Sequence, residues 1–254
     1  MTPLAQARLG NRHRMNTTMD INRQVRLAGL LYLAIIFLGL WGEVAVRGTL
    51  VVPGDAAATA ERIAASPLLW RSGLVGDLLM QVLDVPVIVV LYLLLRPVSE
   101  GLALTATFLN LVQTAVLVAD RGQLLTPLLL LSDAGALQAF SGAQQQALSQ
   151  LAIRLHAHGF GIGLIYFGFA CLVRAVLIVR SGLLPQALGL LLGVAGLCYL
   201  INSFALLLAP GLAAALFPAV LLPALVGEVA LSGWMLLRGV NLARWQQLNA
   251  GDKT

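Results

Sequence analysis

Charged side chains are scarce in this sequence. Asp, Glu, Lys and Arg make up 11% of 254 residues, where a soluble globular domain carries about 25%. That shortfall excludes a chain whose surface mostly faces water. Cysteine is also rare. The two present, Cys171 and Cys198, fall inside apolar runs and read as small buried thiols. They offer no CxxC metal spacing and leave the redox compartment open. Several chemical signatures are missing: there is no G-x-x-x-x-G-K-[ST] phosphate loop, no H-E-x-x-H and no G-x-S-x-G elbow. No apolar run carries the periodic arginines of a voltage sensor or a pore-loop filter. The net charge is +5, but no basic patch interleaves with aromatics, so nucleic acid is not an expected partner.

What the sequence has is hydrophobic length. Hydrophobic residues are 59% of the chain and the mean hydropathy is +0.89. Runs of about 20 apolar residues recur, each long enough to cross a hydrocarbon layer of about 30 Å as a helix. Lipid offers no partners to backbone polar groups, which leaves helices or a closed barrel. The runs lack alternating polarity and are rich in Leu, Ala and Gly, so they are read as helices. Six spans are expected, at about 25–46, 68–95, 102–118 with continuation toward 131, 155–179, 187–208 and 212–240. Residues 1–24 and 241–254 are read as polar cytoplasmic tails, with Met1, Met15 and Met19 all open as the start. The first span is too long for a cleaved leader and no small-x-small site follows it, which suits an uncleaved anchor. Between the first two spans, Pro53-Gly54 marks a turn. Asp55 is placed to cap a short outer helix over "AAATAERIAAS".

Basic residues set the orientation. With the N-terminus inside, Arg8, Arg12, Arg14, Arg23, Arg26, Arg96, Arg174, Arg180, Arg238, Arg244 and Lys253 lie at or toward the cytoplasm. Only Arg47, Arg62, Arg71, Arg121 and Arg154 lie on the other side. Trp41, Trp70 and Trp245 fall near the expected interfaces. The expected fold is therefore an all-α polytopic bundle of six transmembrane helices, N-in and C-in, forming one domain in a cell inner (plasma) membrane. No internal repeat is evident.

Within these spans a few polar residues stand out. Asp77, Gln81 and Asp84 are spaced i, i+4, i+7 and so share one helical face. An ionised carboxylate at mid-bilayer costs about 2.5–3.5 kcal/mol on insertion scales, so this face should turn inward and find partners. Asp77 could pair with Arg71 or Arg121, whereas Asp84 is deeper and harder to explain as structure. Thr107, Asn110, Thr114 and Arg121 recur at helical spacing on the third span. Asn110 and Gln113 also suit interhelical hydrogen bonding. Tyr199, Asn202 and Ser203 lie in the fifth span. Glu228 follows the kink-prone "FPAVLLP" in the sixth. His156 and His158 are weak metal candidates: their spacing points them in different directions, and they read as interfacial residues without a ligand. Gly159 with Gly163, and Gly189 with Gly193, form GxxxG pairs that favour close helix packing.

The expected role is binding or moving a small solute or cation through a polar pocket open to the outer side. Asp77, Gln81, Asp84, Glu228, Asn110, Arg121 and Asn202 are its candidate ligands or proton carriers. One rival is an intramembrane metal-dependent hydrolase joining His156 or His158 to Asp77 or Glu43. Another is a non-catalytic membrane partner or assembly subunit. No catalytic residue and no cofactor are assigned. The expected partners are the lipid bilayer, a solute or cation, and a second copy or another membrane protein.

Several segments carry a resemblance in serial order. They are "AGLLYLAII" in the first span, "VVPGDAAATAERI" in the outer loop and "YLLLRPVS" after the second span. "LHAHGFGIGLIYFG" in the fourth and "SGLLPQALGLLLGVAGLCYLINSFALL" around the fifth complete the set. From about Arg26 to Val240 the chain resembles an uncharacterised bacterial membrane family, domain of unknown function 4386. The resemblance implies a fold and no activity.

Overall fold

A computed structural model describes residues 3–132 and 139–251. Helix α1 (Pro3–Leu40) passes through a π-helical turn (Trp41–Arg47) into α2 (Gly48–Leu50). After the Pro53-Gly54 turn comes α3 (Ala56–Ala65), then α4 (Pro67–Leu95), α5 (Glu100–Leu130) and α6 (Gly142–Ser181). Then follow α7 (Gln186–Leu208), α8 (Pro210–Leu216), a short 3₁₀ turn, α9 (Leu222–Leu237) and α10 (Leu242–Gly251). The described residues contain no strand. Part of the polar loop beginning at residue 133, and the basic residue at 253, lie outside the described residues.

Six helical segments are long and apolar enough to cross a membrane: Asp20–Leu50, Pro67–Leu95, Glu100–Leu130, Gly142–Ser181, Gln186–Leu208 and Ala219–Leu237. The last has 19 residues, or about 28 Å of helix, close to the thickness of a hydrocarbon core. It starts later than the apolar run itself, because Pro218 and Pro223 interrupt the run and split off α8. The first crossing continues a helix that begins at Pro3, within the segment read as a tail.

Each crossing helix packs on two main neighbours. The order α1–α4–α5–α6–α7–α9 returns to α1, so the helices form a closed ring. Their outer faces are apolar and exposed: Leu27, Leu30, Phe37 and Val44 on α1 and its π turn, and Val75, Val82 and Val89 on α4. A continuous apolar exterior of this size is a lipid-facing surface. Small residues permit close approach inside the ring. A Cβ at Gly196 of α7 would lie 2.7 Å from the Gly168 carbonyl oxygen of α6. These two backbones are in contact, as small-residue packing in membranes allows.

Local signals operate as their chemistry dictates. Asp55 accepts a hydrogen bond from the Ala58 N–H at 2.9 Å and caps α3. Ser141 and Gln144 form a reciprocal capping box at the start of α6. Six crossings return the chain to its starting side, where Val240 N–H donates to Asn22 Oδ1 at 3.2 Å. The opposite end carries α3. Trp70, near the start of α4, turns into the protein: it is 2% exposed, and its Nε1–H donates to the Leu124 carbonyl of α5 at 2.8 Å.

Candidate functional site

Two polar clusters are built into the ring. The first lies toward the α3 end and joins four helices. It starts at the π-helical turn, where the Gly48 N–H reaches the Glu43 carbonyl five residues back. Such a turn inserts one residue into the helix and re-aims the side chains on it; π turns recur at functional sites. Here the side chains are Glu43 and Arg47. Arg47 Nε donates to Glu43 Oε2 at 2.8 Å, and Arg47 Nη1 donates to Asp77 Oδ2 of α4 at 2.7 Å. Gly42 makes room for this pair, since a Cβ there would lie 2.7 Å from Asp77 Oδ1.

From Asp77 the chain of charges continues inward. Arg121 Nε of α5 lies 3.5 Å from the same Asp77 oxygen, and its guanidinium sits 5.7 Å from the Phe160 ring centroid. Its Nη1 is 3.5 Å from Asp120 Oδ2. Asp120 Oδ2 lies 2.6 Å from His156 Nδ1 of α6. A contact that short to a carboxylate requires the proton on Nδ1, so His156 donates to Asp120. Arg121 Nη1, 3.1 Å from that nitrogen, then has no lone pair to meet there. Signs alternate from Glu43 through Arg47, Asp77 and Arg121 to Asp120, which His156 meets at the inner end. Asp77 and Arg121 are 1% and 2% exposed, whereas Glu43 is 56% exposed. The path therefore runs from the surface into the ring. Gly159, next to Asp120, lacks the Cβ that would collide with that carboxylate.

The second cluster is about 10 Å deeper, seven residues along α4 and α5. Asp84 Oδ2 accepts from Asn110 Nδ2 at 2.8 Å and from the Thr114 hydroxyl at 2.9 Å. Asn110 also donates to Gln113 Oε1 at 2.8 Å. Across the ring, the hydroxyls of Tyr32 (α1) and Tyr199 (α7) lie near the Glu228 carboxyl of α9. Arg174 of α6 is 5% exposed, and its positive charge acts on both Asp84 and Glu228. Every helix of the ring thus sends a polar side chain to one centre: Tyr32, Asp84, Asn110 with Thr114, Arg174, Tyr199 and Glu228. Gln81, on the face that carries Asp77 and Asp84, lies between the two clusters and is 3% exposed.

Most of the residues singled out in the sequence come together here. Asp77 and Arg121 meet in the outer cluster, Asp84, Asn110 and Glu228 at the centre, and Gln81 between. Asn202 is half-buried and takes part in no described hydrogen bond of either cluster. His156 corrects the reading as an interfacial residue: it is buried against Asp120. His158 is exposed and faces the Arg154 carbonyl of its own helix at 2.9 Å. The two histidines therefore diverge, and no group of three metal-ligating side chains forms among the described residues. A cleft of about 410 Å³ lies at the terminal end of the ring, lined in part by Leu184, Trp234, Arg238 and Asn241. It borders neither cluster.

Three groups escaped the sequence reading. Arg47 and Arg174 were counted only as charges that set orientation, and Asp120 was not singled out. Arg174 is the main addition: counted only as a charge toward the cytoplasm, it is buried within the ring. Its position six residues inside Arg180, with apolar neighbours on both sides, was the available signal. Asp120 and Arg121 become interior because α5 continues to Leu130.

These features define a multi-pass membrane protein whose helices enclose a buried, charged centre. The chain matches a family model described as "Domain of unknown function (DUF4386)" over residues 27–239, and it belongs to that family. It is also similar to an uncharacterized protein of Archaeoglobus fulgidus. The two are 27% identical over 170 residues, which is 67% of this chain and 85% of that protein. No solved structure matches the chain.

Proposed function

We propose that this protein binds or moves a small solute or cation, the proton included, through the interior of its six-helix ring. Asp77, Asp84 and Glu228 act as charged ligands or proton carriers. The observation that carries this reading is the convergence of polar side chains from all six helices on Asp84, Arg174 and Glu228. Ionisable groups are expensive in a membrane interior and mark pathways and relays when they are found there. The basic residues near span ends support an N-in, C-in orientation in a plasma membrane. The outer cluster then faces the extracytoplasmic side.

The metal-hydrolase reading finds less support. His156 is engaged by Asp120, and His158 points away from Asp77 and Glu43.

The test uses the full chain reconstituted in liposomes containing a pH-sensitive dye, with and without imposed ion gradients. Wild-type protein should carry a flux that Asp84→Asn and Glu228→Gln each abolish while remaining folded. Equal flux in wild type and Asp84→Asn, at equal stability, would remove the reading and leave packing as the role of the carboxylates.

A further inference from the structure

The cleft at the terminal end of the ring has walls fixed by backbone. Gly239 follows α9 with φ +71°, a conformation glycine adopts without strain. The chain then doubles back, and the Asn241 N–H donates to the Leu183 carbonyl at 3.0 Å. The loop after α9 is thereby pinned to the turn before α7. The space of about 410 Å³ beside them is lined by Gly182, Leu184, Pro185, Trp234 and Arg238, among others. Trp234 belongs to the α7–α9 seam. Two turns earlier on the same face of α9, a Cβ at Gly227 would lie 2.8 Å from the Leu191 carbonyl oxygen of α7. The charge around the cleft is positive and unanswered. Arg238 lines it, and Arg244 Nε donates to the Ser181 carbonyl at 3.1 Å, which lays that side chain against Gly182. Among the described residues neither arginine pairs with a carboxylate, and no acid lines the cleft. Trp234 and Arg238 are both exposed. Below them Leu190, Val194 and Leu197, spaced i, i+4, i+7, form an exposed apolar stripe along α7.

We infer that this cleft holds one anionic phospholipid, with its phosphodiester at Arg238 and Arg244 and its acyl chains on the apolar stripe of α7. Tryptophan and arginine at a helix end are side chains that settle at headgroup level. Basic pockets between transmembrane helices take anionic headgroups, and the planar fork of a guanidinium suits phosphate oxygens. A cation would meet two arginines and no acid. A free phosphate would meet the charges and leave the apolar wall of Trp234, Leu184 and Pro185 uncovered. A lipid headgroup uses both. The choline of a zwitterionic lipid would bring a further positive charge to the two arginines, so the cleft favours a headgroup whose net charge is negative. This site lies apart from both polar clusters and does not depend on what they bind.

The experiment mixes the full-length protein in detergent with equal amounts of dioleoyl phosphatidylglycerol and dioleoyl phosphatidylcholine and reads the retained lipid by native mass spectrometry. Wild-type protein should retain one phosphatidylglycerol with a preference of about fivefold or more, the weight of one basic residue at a charged surface. Arg238→Gln should bring the ratio close to one. Arg71→Gln removes an exposed, unpaired arginine at the opposite end of the ring and should leave the preference intact. An equal loss in both variants would assign the preference to the overall charge of the protein and overturn the inference, as would the absence of any preference in wild type. Glycerol 1-phosphate tests the soluble source: if it displaces the bound lipid at equal concentration, the cleft is a phosphate site and not a lipid site. A second measurement needs no variant and stands if Arg238→Gln fails to fold. Phosphatidylglycerol carrying a diazirine on one acyl chain should label wild-type peptides of α7 and α9, and labelling spread evenly around the ring would overturn the site.

Discussion

Arg47 Nη1 lies 2.7 Å from Asp77 Oδ2, across 30 positions of sequence. The contact links the π-helical end of the first crossing to the second, and it places the more exposed end of the charge path at the membrane edge. Glu43 holds Arg47 from the outside and Asp77 holds it from within. The ring is therefore closed at the α3 end by charge pairing, while its outer faces are largely apolar.

Asp77 carries this closure, because it faces two arginines at once. Asp77→Asn should leave Arg47 and the buried Arg121 without their shared counter-charge. Breaking a buried pair in this way costs about 3–5 kcal/mol. Glu43→Gln removes a pair whose acid is mostly exposed and should cost no more than about 1 kcal/mol. Thermal unfolding of the two variants in the same detergent compares them directly. Equal losses would mean that Asp77 is not the keystone of the outer cluster.

The α6–α7 seam depends on the absence of a side chain at Gly196. A methyl group there would press on the Gly168 carbonyl oxygen, and backbone does not yield as a rotamer does. Gly196→Ala should destabilise the protein by about 1–3 kcal/mol, the range for overpacking. Gly233→Ala, where nothing lies within 4 Å of the added carbon, should be neutral or stabilising by up to about 1 kcal/mol through helix propensity. Melting temperatures of the two variants decide the matter. A neutral Gly196→Ala would mean the helices separate more easily than their contact implies.

Much of this was legible from residue chemistry alone. The i, i+4, i+7 spacing of Asp77, Gln81 and Asp84 fixes one helical face, and the cost of charge in lipid turns that face inward. Asp55 caps α3 because its carboxylate reaches the N–H three residues on. Partner identity was harder to read. Asp77 has two candidate arginines on the same side of the membrane, Arg71 and Arg121, yet its nearest cation is Arg47. That residue reaches it because of a π turn that no residue pattern announces. Arg174 was hidden by the very rule that orients the chain, since a rule that counts arginines does not measure their depth. The sequence pattern gives each helix its inward face. The pairing of those faces depends on ring order and tilt, which single-helix periodicity does not contain.

Orientation has a direct chemical test. Ala57 on α3 and Gln186 at the start of α7 are both exposed and lie at opposite ends of the ring. In a cysteine-free background, Ala57→Cys should react with a membrane-impermeant maleimide in intact cells. Gln186→Cys should react only after permeabilisation. The reverse pattern would invert the topology. The outer cluster would then face the cytoplasm.

Trp70 offers a test of how α4 and α5 are joined. Its indole N–H reaches the Leu124 carbonyl from a site that is 2% exposed, surrounded by Val46, Leu50, Ile63 and Leu74. Trp70→Phe keeps an aromatic ring but removes the donor, so one interhelical hydrogen bond is lost where water does not replace it. The cost should be about 1–3 kcal/mol. Trp41 provides the contrast: it is 39% exposed and donates to Ser72 Oγ at 3.2 Å. Trp41→Phe should change stability by less than about 1 kcal/mol, since that bond lies near the surface where solvent substitutes for it. Chemical denaturation in mixed micelles, following the remaining tryptophans, separates the two. If Trp70→Phe were as mild as Trp41→Phe, the α4–α5 seam would rest on apolar packing and the charges around Asp84, and the indole would serve only to fill space.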